Sequence, residues 1–478
     1  MIYVYQYKIY PTINQTLELN YWLRVGQYWY NRQLGERFDW WDMNRCYVDR
    51  CPIITSIAPV KEKPSRYGQQ SQLPSLKKAY QFVKSTEELL DFSRVPANTL
   101  QAICKQVEES FSRFVKGDKN GKKSGRPRFK SKNRFKTLYF TGTQKGKFVF
   151  TGYFGQYIIT KKLGSIKVRM HRQLPDGSKI KTSSITKKAD GWYLNVTLDD
   201  PTIPVLPKED ATWDNSLGID AVLKDDVYLA LSNGQTIKSV KPFRVNESSL
   251  AKTSKAKELA KKGSRKRRKL ARKQAKFHQT IARQRKQHRY NTAHKIVESG
   301  VKNIFVEDLN LIGLSKRNKA KSDGDGHYLP NRQSAKSGLN KSWSDAAFGM
   351  FFDTLTAVAE KAGVSVIEVN PAYTSQVLCY RNEITFGDNS VREYFDEELG
   401  LVIDRDISAA LNIKQRGLQV FPLPKRASKQ KAHRTRRTCS AREAEQEGVQ
   451  IHRDLDTDIV TAMIDVFETM NQAHVHNL

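Results

Sequence analysis

The spacing of apolar residues predicts a strand and then helices in the first part of the chain. Residues 2–10 combine aromatic and β-branched residues and end at a proline, a pattern that predicts one strand. From about Thr16 apolar residues recur every three or four positions, which predicts helices. The clearest helix begins at Pro96, and its apolar stripe includes Cys104, so that thiol is expected in a core. Residues 52–75 are rich in Pro, Ser, Gln and Lys and predict a surface loop.

A second stretch, residues 137–198, predicts a small antiparallel barrel or sandwich. Its short strands are centred near Phe148, Ile158, Val168, Ile185 and Tyr193. Asp176-Gly177 and Asp190-Gly191 predict two hairpin turns. Because the strand at residues 2–10 has no strand near it in sequence, we expect it to join this barrel. The helices of residues 15–116 would then be an insertion in the barrel.

Strands and helices alternate from residue 217 to residue 413, which predicts an α/β domain with a mixed sheet. A loop rich in Gly, Ser, Lys and Asn is predicted at residues 313–340. Strands are predicted at 217–222, 227–232, 235–240, 303–307 and 364–369, and helices at 249–299 and 343–362.

The end of the chain contains two segments of different composition. Residues 414–442 are basic and poor in apolar residues, which favours a disordered or RNA-facing tail. Leu455, Ile459, Met463 and Phe467 then predict one last amphipathic helix.

Charge changes this picture more than any other property. The 478 residues carry a formal net charge of +33, with a pI near 9.8, which indicates a polyanionic partner and nucleic acid first of all. A basic surface that serves only solubility is the alternative. No run of eighteen apolar residues and no secretory signal are found in the sequence, and the five cysteines are few and scattered. These features favour a reducing, cytoplasmic setting in a prokaryote, with the protein at the nucleoid when it binds DNA.

Two basic segments are candidates for contact with nucleic acid. In the first, residues 122–136, aromatic residues lie between cations, which suits phosphates and stacked bases; a solvated linker is the alternative. The second lies between Lys255 and Arg289, where sixteen Lys and Arg oppose one acid, Glu258. Bound phosphates would offset the repulsion in so basic a helix, and a solvated helix face is the alternative. The candidate residues are Lys122, Lys123, Arg126, Arg128, Lys130, Lys132, Arg134, Lys136, Arg265, Arg267, Arg268, Arg272 and Lys276.

Three acidic residues lie in predicted buried elements. Asp220 and Glu307 are expected on neighbouring strands, and Asp406 shares one helix face with the small residues Ala409 and Ala410. A buried carboxylate needs a partner or a metal, and an Asp, Glu, Asp set suits phosphodiester hydrolysis with two Mg²⁺ ions. Asp404 lies on another face and is expected to cap the helix or to support the site from outside. Each acid taken alone has a purely structural alternative.

The order of these motifs resembles the TnpB family of transposon-encoded nucleases and the compact type V CRISPR effectors. The matching residues are Lys8-Ile9-Tyr10-Pro11-Thr12, Gly125-Arg126-Pro127-Arg128-Phe129-Lys130, Leu217-Gly218-Ile219-Asp220, Val306-Glu307-Asp308-Leu309, Asn370-Pro371-Ala372-Tyr373-Thr374-Ser375-Gln376, and Asp404-Arg405-Asp406 with Ala409-Ala410 and Asn412-Ile413. The resemblance covers residues 1 to about 416. It implies that Asp220, Glu307 and Asp406 are catalytic Mg²⁺ (or Mn²⁺) ligands. It also implies a guide RNA that directs the protein to double-stranded DNA beside a short flanking motif.

The fold class implied is a multidomain α+β protein. It would contain a RuvC-like (RNase H fold) α/β nuclease domain and an antiparallel β-barrel wedge domain with an inserted helical recognition domain. The predicted boundaries are 1–14 and 117–206 for the wedge, 15–116 for the recognition domain, 207–416 for the nuclease and 417–478 for the tail.

The sequence departs from the family pattern in the zinc ribbon, expected here at about 374–403. Cys379 fits the first of four cysteine positions, but the others hold Asn382, Asp396 and Leu399. One thiol cannot provide a tetrahedral zinc site, so we expect no structural zinc, with the region kept as a small hairpin or acting differently on the DNA. The usual Asn of the last acidic motif is Ser408.

The sequence therefore predicts an RNA-guided, Mg²⁺-dependent DNA endonuclease with a single RuvC-like site. The degraded ribbon and Ser408 leave a second hypothesis open, an RNA-guided DNA-binding protein without cleavage that acts as a repressor or targeting module. A general RNA-binding or structural protein with a relic nuclease domain is the third.

Overall fold

A computed structural model describes residues 2–50, 62–118, 121–142, 146–151, 154–160, 163–201, 207–223, 226–323, 327–381, 384–386, 391–421 and 457–475. Their contacts form two compact units with mixed α/β content, Met1–Pro204 and Val205–Leu478. The finer division of the first unit into a wedge domain and a helical recognition domain remains a prediction.

The first unit begins with strand β1 (Ile2–Tyr10) and the 38-residue helix α1 (Ile13–Arg50). The remaining elements are α2 (Arg66–Gln70), α3 (Leu73–Lys78), β2 (Gln81–Val83), β3 (Glu88–Leu90), a 3-10 turn (Phe92–Arg94), α4 (Ala97–Val115), β4 (Thr137–Phe140), β5 (Lys147–Thr151), β6 (Phe154–Ile158), β7 (Ser165–Arg169), β8 (Lys179–Lys188) and β9 (Gly191–Asp199).

The predicted loop at residues 52–75 is wrong over its second part, because α2 and α3 lie there. Ser65 caps α2 by accepting a hydrogen bond from the Gly68 amide, and α3 is anchored by two buried leucines. Both helices are too short to show a helical repeat in the sequence. Residues 52–61 lie outside the described part of the chain.

Seven strands form an antiparallel sheet in the order β4-β8-β9-β1-β7-β6-β5. Strand β1 lies between β9 and β7, with Ile2 opposite Asp199 and Ile9 opposite Trp192. The prediction that the first strand joins the later ones is thus confirmed. The hairpin predicted at Asp190-Gly191 connects β8 to β9. The hairpin predicted at Asp176-Gly177 is wrong: a turn forms there, but β7 and β8 pair with other strands, because a turn signal does not determine pairing.

One hydrophobic core joins this sheet to the helices. It includes Tyr7 of β1, Trp22 and Trp29 of α1, and Phe111 of α4, each nearly or fully buried. Cys104 is buried in it, as predicted, and burial raises the pKa of its thiol to about 11. The thiol is therefore a packed apolar group rather than a nucleophile.

The second unit contains a mixed five-stranded sheet in the order β12 (Thr236–Lys238), β11 (Val227–Leu231), β10 (Ser216–Ala221), β13 (Asn303–Glu307) and β16 (Ser365–Val369). Strand β10 pairs antiparallel with β11 and parallel with β13, and β13 pairs parallel with β16. The predicted mixed sheet is confirmed. The elements are β10 (Ser216–Ala221), β11 (Val227–Leu231), β12 (Thr236–Lys238), α5 (Pro242–Leu259), α6 (Arg265–Val297), β13 (Asn303–Glu307), α7 (Leu311–Leu314), β14 (Lys321–Ser322), β15 (Tyr328–Leu329), α8 (Gln333–Ala346), α9 (Phe348–Lys361), β16 (Ser365–Val369), β17 (Glu393–Asp396), β18 (Leu401–Asp404), α10 (Arg405–Gly417) and α11 (Thr457–Val475).

Two predictions between residues 313 and 362 are wrong. The predicted loop contains the short hairpin β14–β15 and the start of α8, which begins at Gln333. The single helix predicted at 343–362 is two helices, because Ala347 adopts a left-handed φ of 54° and ends α8. Helix α8 is mostly polar and therefore lacks the apolar repeat that would reveal it. Instead its buried Asp345 accepts hydrogen bonds from the amides of Phe243 and Arg244.

The residues that alternate along β10 and β13 pack against helices on opposite sides of the sheet. Leu217, Ile219 and Val306 lie in one cluster with residues of α6 and α9. Phe305 lies in another cluster, with Ile413 of α10. The side of the sheet that Phe305 occupies is thus the side covered by α10. Among the described residues, no helix is long and apolar enough to cross a membrane.

Candidate active site and nucleic-acid interface

The register of β10 and β13 places two predicted site residues side by side. Ile219 pairs with Val306 in the parallel ladder, and Asp220 and Glu307 each follow next along their strands. Side chains alternate between the faces of a strand, so Glu307 shares the face of Phe305 and Asp220 that of Gly218. This is the side covered by α10. The prediction that Asp220 and Glu307 come from neighbouring strands is confirmed.

Helix α10 approaches this face closely because small residues line the contact. A methyl group at Gly218 would collide with the carbonyl oxygen of Ala410, and one at Gly417 would collide with the ring of Phe305. Ala409 and Ala410 are buried, as the predicted close packing of this helix requires.

The first turn of α10 carries the third carboxylate, that of Asp406. Asp404 caps the helix, since its carboxylate accepts hydrogen bonds from the amides of Asp406 (2.8 Å) and Ile407 (3.1 Å). The cap predicted for Asp404 is confirmed. Asp406 itself is buried.

The three carboxylates lie near enough to affect one another. Burial raises the pKa of Asp220 well above its usual range, and the negative charges of Glu307 and Asp406 raise it further. Burial also raises the pKa of Glu307, against the opposing effects of a hydrogen bond from Thr374 and the charge of Arg416. Asp220 and Glu307 each keep part of their surface accessible. A group of like charges in such a setting is suited to binding a cation.

Two of the carboxylates have protein partners that the sequence did not reveal. The hydroxyl of Thr374 donates to Oε1 of Glu307 at 2.5 Å. Arg392 Nη1 donates to Oδ1 of Asp406 at 3.0 Å, and Arg405 Nη2 lies 3.6 Å from the same oxygen. Thr374 lies in a motif that the sequence singled out, but no sequence pattern pointed to Arg392.

The donor set fits a hard divalent cation. Carboxylate oxygens are the ligands that Mg²⁺ prefers, and the repulsion that raises the pKa of Asp220 would be relieved by a bound cation. In the described part of the chain, no three His, Cys, Asp or Glu side chains stand ready to hold a metal ion as they are oriented. In this conformation the Asp406 carboxylate faces Arg392.

The region predicted as a degenerate zinc ribbon holds a small hairpin, β17–β18, as expected. Asp396, at one of the ribbon positions, is buried and accepts hydrogen bonds from Tyr380 Oη (2.7 Å) and Arg381 Nη2 (3.0 Å). Cys379 is fully buried, whereas Leu399 is exposed, and Asn382 lies outside the described residues. The absence of structural zinc stays a prediction.

Ser408 connects this hairpin region to α10. Its hydroxyl oxygen accepts a hydrogen bond from the Cys379 amide at 3.2 Å. The residue that replaces the family's usual Asn therefore still makes a buried polar contact.

The last predicted helix is confirmed as α11. Met463 and Phe467 are fully buried in a cluster with Cys379 and Tyr380, so the helix covers the hairpin region. The predicted basic tail begins inside α10, which ends at Gly417. Leu455 and the larger part of residues 414–442 lie outside the described residues.

The basic segment at residues 122–136 runs along α1. The main chain of Lys130 makes hydrogen bonds with the side chains of Gln27 and Asn31, and its ammonium nitrogen lies 4.0 Å from the centre of the Tyr30 ring. Lys132 pairs with Glu88 (2.7 Å) and Arg126 with Asp42 (2.8 Å). Lys130 thus contributes mainly to packing. The cations that remain at the exposed surface with no ion pair described here are Lys122, Lys123, Arg128, Arg134 and Lys136.

On α6 the predicted cations also divide into two groups. Arg267 Nη1 donates to the carbonyls of Lys257 (2.8 Å) and Ala260 (3.0 Å) and so caps the end of α5. Arg268 donates to the carbonyl of Gly263. Arg265, Arg272 and Lys276 lie exposed on the helix. These three are the better candidates for phosphate contacts.

Two family models match the chain. The model described as "Cas12f1-like, TNB domain" matches residues 348–413, which include α9, β16, the hairpin and the first turns of α10. The model described as "Probable transposase" matches residues 194–318, which include β10 to β13 with Asp220 and Glu307.

Curated relatives extend the similarity along the chain. The "Putative RNA-guided DNA endonuclease" of Streptomyces pristinaespiralis is 25% identical over 421 residues, 87% of this chain and 89% of the relative. The "Putative RNA-guided DNA endonuclease InsQ" of Escherichia coli K12 is 25% identical over 342 residues, 70% of this chain and 78% of the relative.

A cryo-EM structure titled as a Cas12f1-sgRNA-target DNA complex matches with a TM-score of 0.48 at 13% identity, over 84% of this chain and 82% of that one. A structure titled as the mini-RNA-guided endonuclease CRISPR-Cas_phi3 matches with a TM-score of 0.46 at 9% identity, over 90% and 93% of the two chains.

The two family models together span the sheet that carries Asp220 and Glu307 and the helix that carries Asp406. The curated relatives align with both of the compact units. These matches confirm the resemblance to the TnpB family of transposon-encoded nucleases and the compact type V CRISPR effectors that the sequence motifs indicated.

Proposed function

We propose that this protein is an RNA-guided, Mg²⁺-dependent DNA endonuclease. The observation that carries the proposal is the convergence of Asp220, Glu307 and Asp406 from β10, β13 and α10, close enough for their charges to raise the pKa of Asp220. The order of strands β12-β11-β10-β13-β16, with α10 against β10, is the basis for proposing a RuvC-like, RNase H fold domain. The names of the curated relatives support the same activity.

The three carboxylates would hold the Mg²⁺ ions, which supply an activated water and charge stabilisation during phosphodiester hydrolysis. The residues around them have separate tasks. Gly218 and Ala410 let α10 come close enough to bring Asp406 to the sheet. Asp404 holds the first turn of that helix in place. Packing between β10 and α10 limits the access of bulk water to the carboxylates and so strengthens their charge interactions.

A guide RNA and double-stranded target DNA are the proposed partners. The exposed cations of residues 122–136 and of α6 would contact backbone phosphates, since base pairing with the guide reads the target sequence. The seven-stranded sheet would form the wedge barrel, and α1 to α4 the recognition domain. We propose that the protein recognises a short motif beside the target before it unwinds the duplex.

One observation favours a second function, guided DNA binding without cleavage. Arg392 pairs with Asp406, and a metal ion would need that carboxylate. A repressor or targeting module would keep this ion pair, whereas a nuclease would have to exchange it for the cation.

A plasmid cleavage assay separates the two functions. The full-length protein with its co-purified RNA meets a matched target beside a library of flanking sequences, with Mg²⁺ or with EDTA. We expect a linear product in Mg²⁺ alone, and none with the Asp220→Ala variant. Asp353→Asn, which changes an exposed carboxylate on α9, is the matched control and should cleave normally. Equal binding by all three proteins with no cleavage would establish the second function instead.

A further inference from the structure

A buried chain of polar contacts connects Glu307 to the helix that carries Asp406. Thr374, which is 1% exposed, donates its hydroxyl hydrogen to Glu307 Oε1 at 2.5 Å. The carbonyl of Thr374 in turn accepts a hydrogen bond from Asn412 Nδ2 at 2.8 Å. Asn412 lies fully buried on α10, two turns after Asp406.

Asn412 fixes the loop on which Thr374 lies. Its side-chain nitrogen donates both to the Thr374 carbonyl and to the Val377 carbonyl, at 2.8 and 2.7 Å. Arg416, one turn further along α10, donates to the Ala372 carbonyl at 2.8 Å. Helix α10 therefore holds the loop from both sides of Thr374, and the position of the hydroxyl is determined by the same helix that positions Asp406.

The Thr374 hydroxyl does not depend on Glu307 for a hydrogen-bond acceptor. Thr374 Oγ1 also lies 3.0 Å from the carbonyl oxygen of Pro371, an acceptor within its own loop. A hydroxyl group has one hydrogen to donate, so the two acceptors compete for it. A glutamate at the end of a strand has three side-chain torsions to fix, and a short hydrogen bond on one oxygen restricts them while leaving the other oxygen for a cation.

We propose that Thr374 is a positioning residue, which orients the Glu307 carboxylate for the divalent cation relative to Asp406. The inference rests on the proposed function, because it assigns a role within the same site. The two residues that it connects, Thr374 and Glu307, are 67 positions apart, and no sequence repeat relates them. Thr374 itself does not touch the cation or the DNA.

The test compares Thr374→Val, which keeps the shape and loses the hydroxyl, with Thr374→Ser, which keeps the hydroxyl. Thr354→Val is the matched control, since the Thr354 hydroxyl donates only to the Met350 carbonyl in α9. Two quantities are measured on the full-length proteins. The first is the Mn²⁺ concentration that gives half-maximal cleavage by the guide-loaded protein. The second is the Mn²⁺ affinity of the protein alone, from the electron paramagnetic resonance signal of free Mn²⁺.

We expect Thr374→Val to raise both Mn²⁺ concentrations about tenfold, which is the usual effect of losing a residue that supports a metal ligand. Thr374→Ser and Thr354→Val should stay close to wild type, and the melting temperature of Thr374→Val should match that of Thr354→Val. Unchanged Mn²⁺ affinity in Thr374→Val would overturn the inference. The inference would also be overturned if Thr374→Ser lost Mn²⁺ affinity to the same extent and if the loss followed a fall in melting temperature.

The two proposals fail in different ways. If the wild type does not cleave a matched target, the proposed function is wrong, and the Mn²⁺ titration still decides the role of Thr374. If the wild type shows no Mn²⁺ binding that Asp220→Ala abolishes, the positioning role is overturned whatever the cleavage result.

Discussion

Two aspartates of the second unit, the half-buried Asp220 and the buried Asp396, differ in their surroundings. Asp220 lies beside two other carboxylates, and its pKa is raised well above the usual range by burial and then by those charges. Burial acts to raise the pKa of Asp396 as well. There, however, hydrogen bonds from Tyr380 and from two backbone amides, together with the charge of Arg381, outweigh burial, and the pKa is lowered. A buried charge with built-in partners stabilises the fold, whereas one that faces like charges needs a ligand from outside.

The largest expected effect is on cleavage by Asp220→Asn. The amide has the shape of the carboxylate but cannot provide the anionic ligand, so cleavage should fall below detection. The melting temperature should stay equal to that of the wild type or rise, because a buried charge repelled by Glu307 and Asp406 is removed. Cleavage time courses and thermal melts measure the two effects. A large fall in melting temperature would show that Asp220 has a structural role like that of Asp396.

For Asp396→Ala, in contrast to Asp220→Asn, we expect a loss of stability. Removal of this carboxylate takes from Arg381 its buried acceptor and leaves the buried Tyr380 hydroxyl without one, and breaking a buried ion pair costs about 3–5 kcal/mol. The free energy of unfolding, from urea titration, should fall by that order. Glu398→Ala is the control, since Glu398 also pairs with Arg381 but its side chain is 79% exposed. A loss of equal size in Glu398→Ala would remove the distinction between the two carboxylates.

A smaller loss is expected for Tyr380→Phe. The ring stays packed against Phe467, while the hydrogen bond from Tyr380 Oη to Asp396 disappears. Hydrogen bonds to charged groups contribute about 1.5–3 kcal/mol, so the unfolding free energy should fall by that order and cleavage should persist at low temperature. Unchanged stability would mean that Arg381 and the amides hold Asp396 without the phenol.

The two aspartates should also give opposite pH effects on stability. Because the folded pKa of Asp396 is lowered, its contribution is present above the ordinary aspartate pKa of about 3.9 and is lost as the pH falls through the folded pKa. The folded pKa of Asp220 is raised, so the fold loses stability as the pH rises from about 3.9 through that raised pKa.

Urea titrations across this range, in the absence of metal, measure both effects. The difference between wild type and Asp396→Ala should shrink in acid, and Asp220→Asn should gain over wild type as the pH rises. Parallel curves for the two variants would contradict the comparison.

The acidic cluster could be predicted because each member lies in a strong local pattern. Asp220 and Glu307 lie in apolar strands, and Ala409 and Ala410 reveal the buried face of the helix that begins near Asp406. The contacts of Thr374 and Arg392 could not be predicted, since they depend on how loops close in the folded chain, over 67 positions to Glu307 and over 14 positions to Asp406. The role of Arg267 could not be predicted either, because counting charges does not show that its side chain contacts the carbonyls at the end of α5.

In the rest of the fold, too, elements with a strong local pattern could be predicted and elements that depend on tertiary contacts could not. The strands around Tyr7 and Ile219 show clear alternation or apolar runs, and the first of them is expected in the barrel because no other strand lies near it in sequence. Helix α8 was missed because its burial depends on Asp345, a single charged residue that satisfies two amides and pairs with Arg285. Such a residue gives no apolar repeat, so a sequence pattern indicates only polar chain there.

The contact between Asn471 of α11 and strand β18 also bears on aggregation. A two-stranded hairpin leaves unpaired main-chain groups along both edges, and such edges can recruit strands from other molecules. The Asn471 side chain accepts a hydrogen bond from the Val402 amide (3.4 Å) and donates to the Val402 carbonyl (3.1 Å), as a neighbouring strand would. In Asn471→Ala we therefore expect light scattering at high protein concentration to rise while the melting temperature is still unchanged. Unchanged scattering would mean that the two hydrogen bonds between Asn471 and Val402 serve packing alone. We therefore expect the last helix to shield the hairpin from self-association.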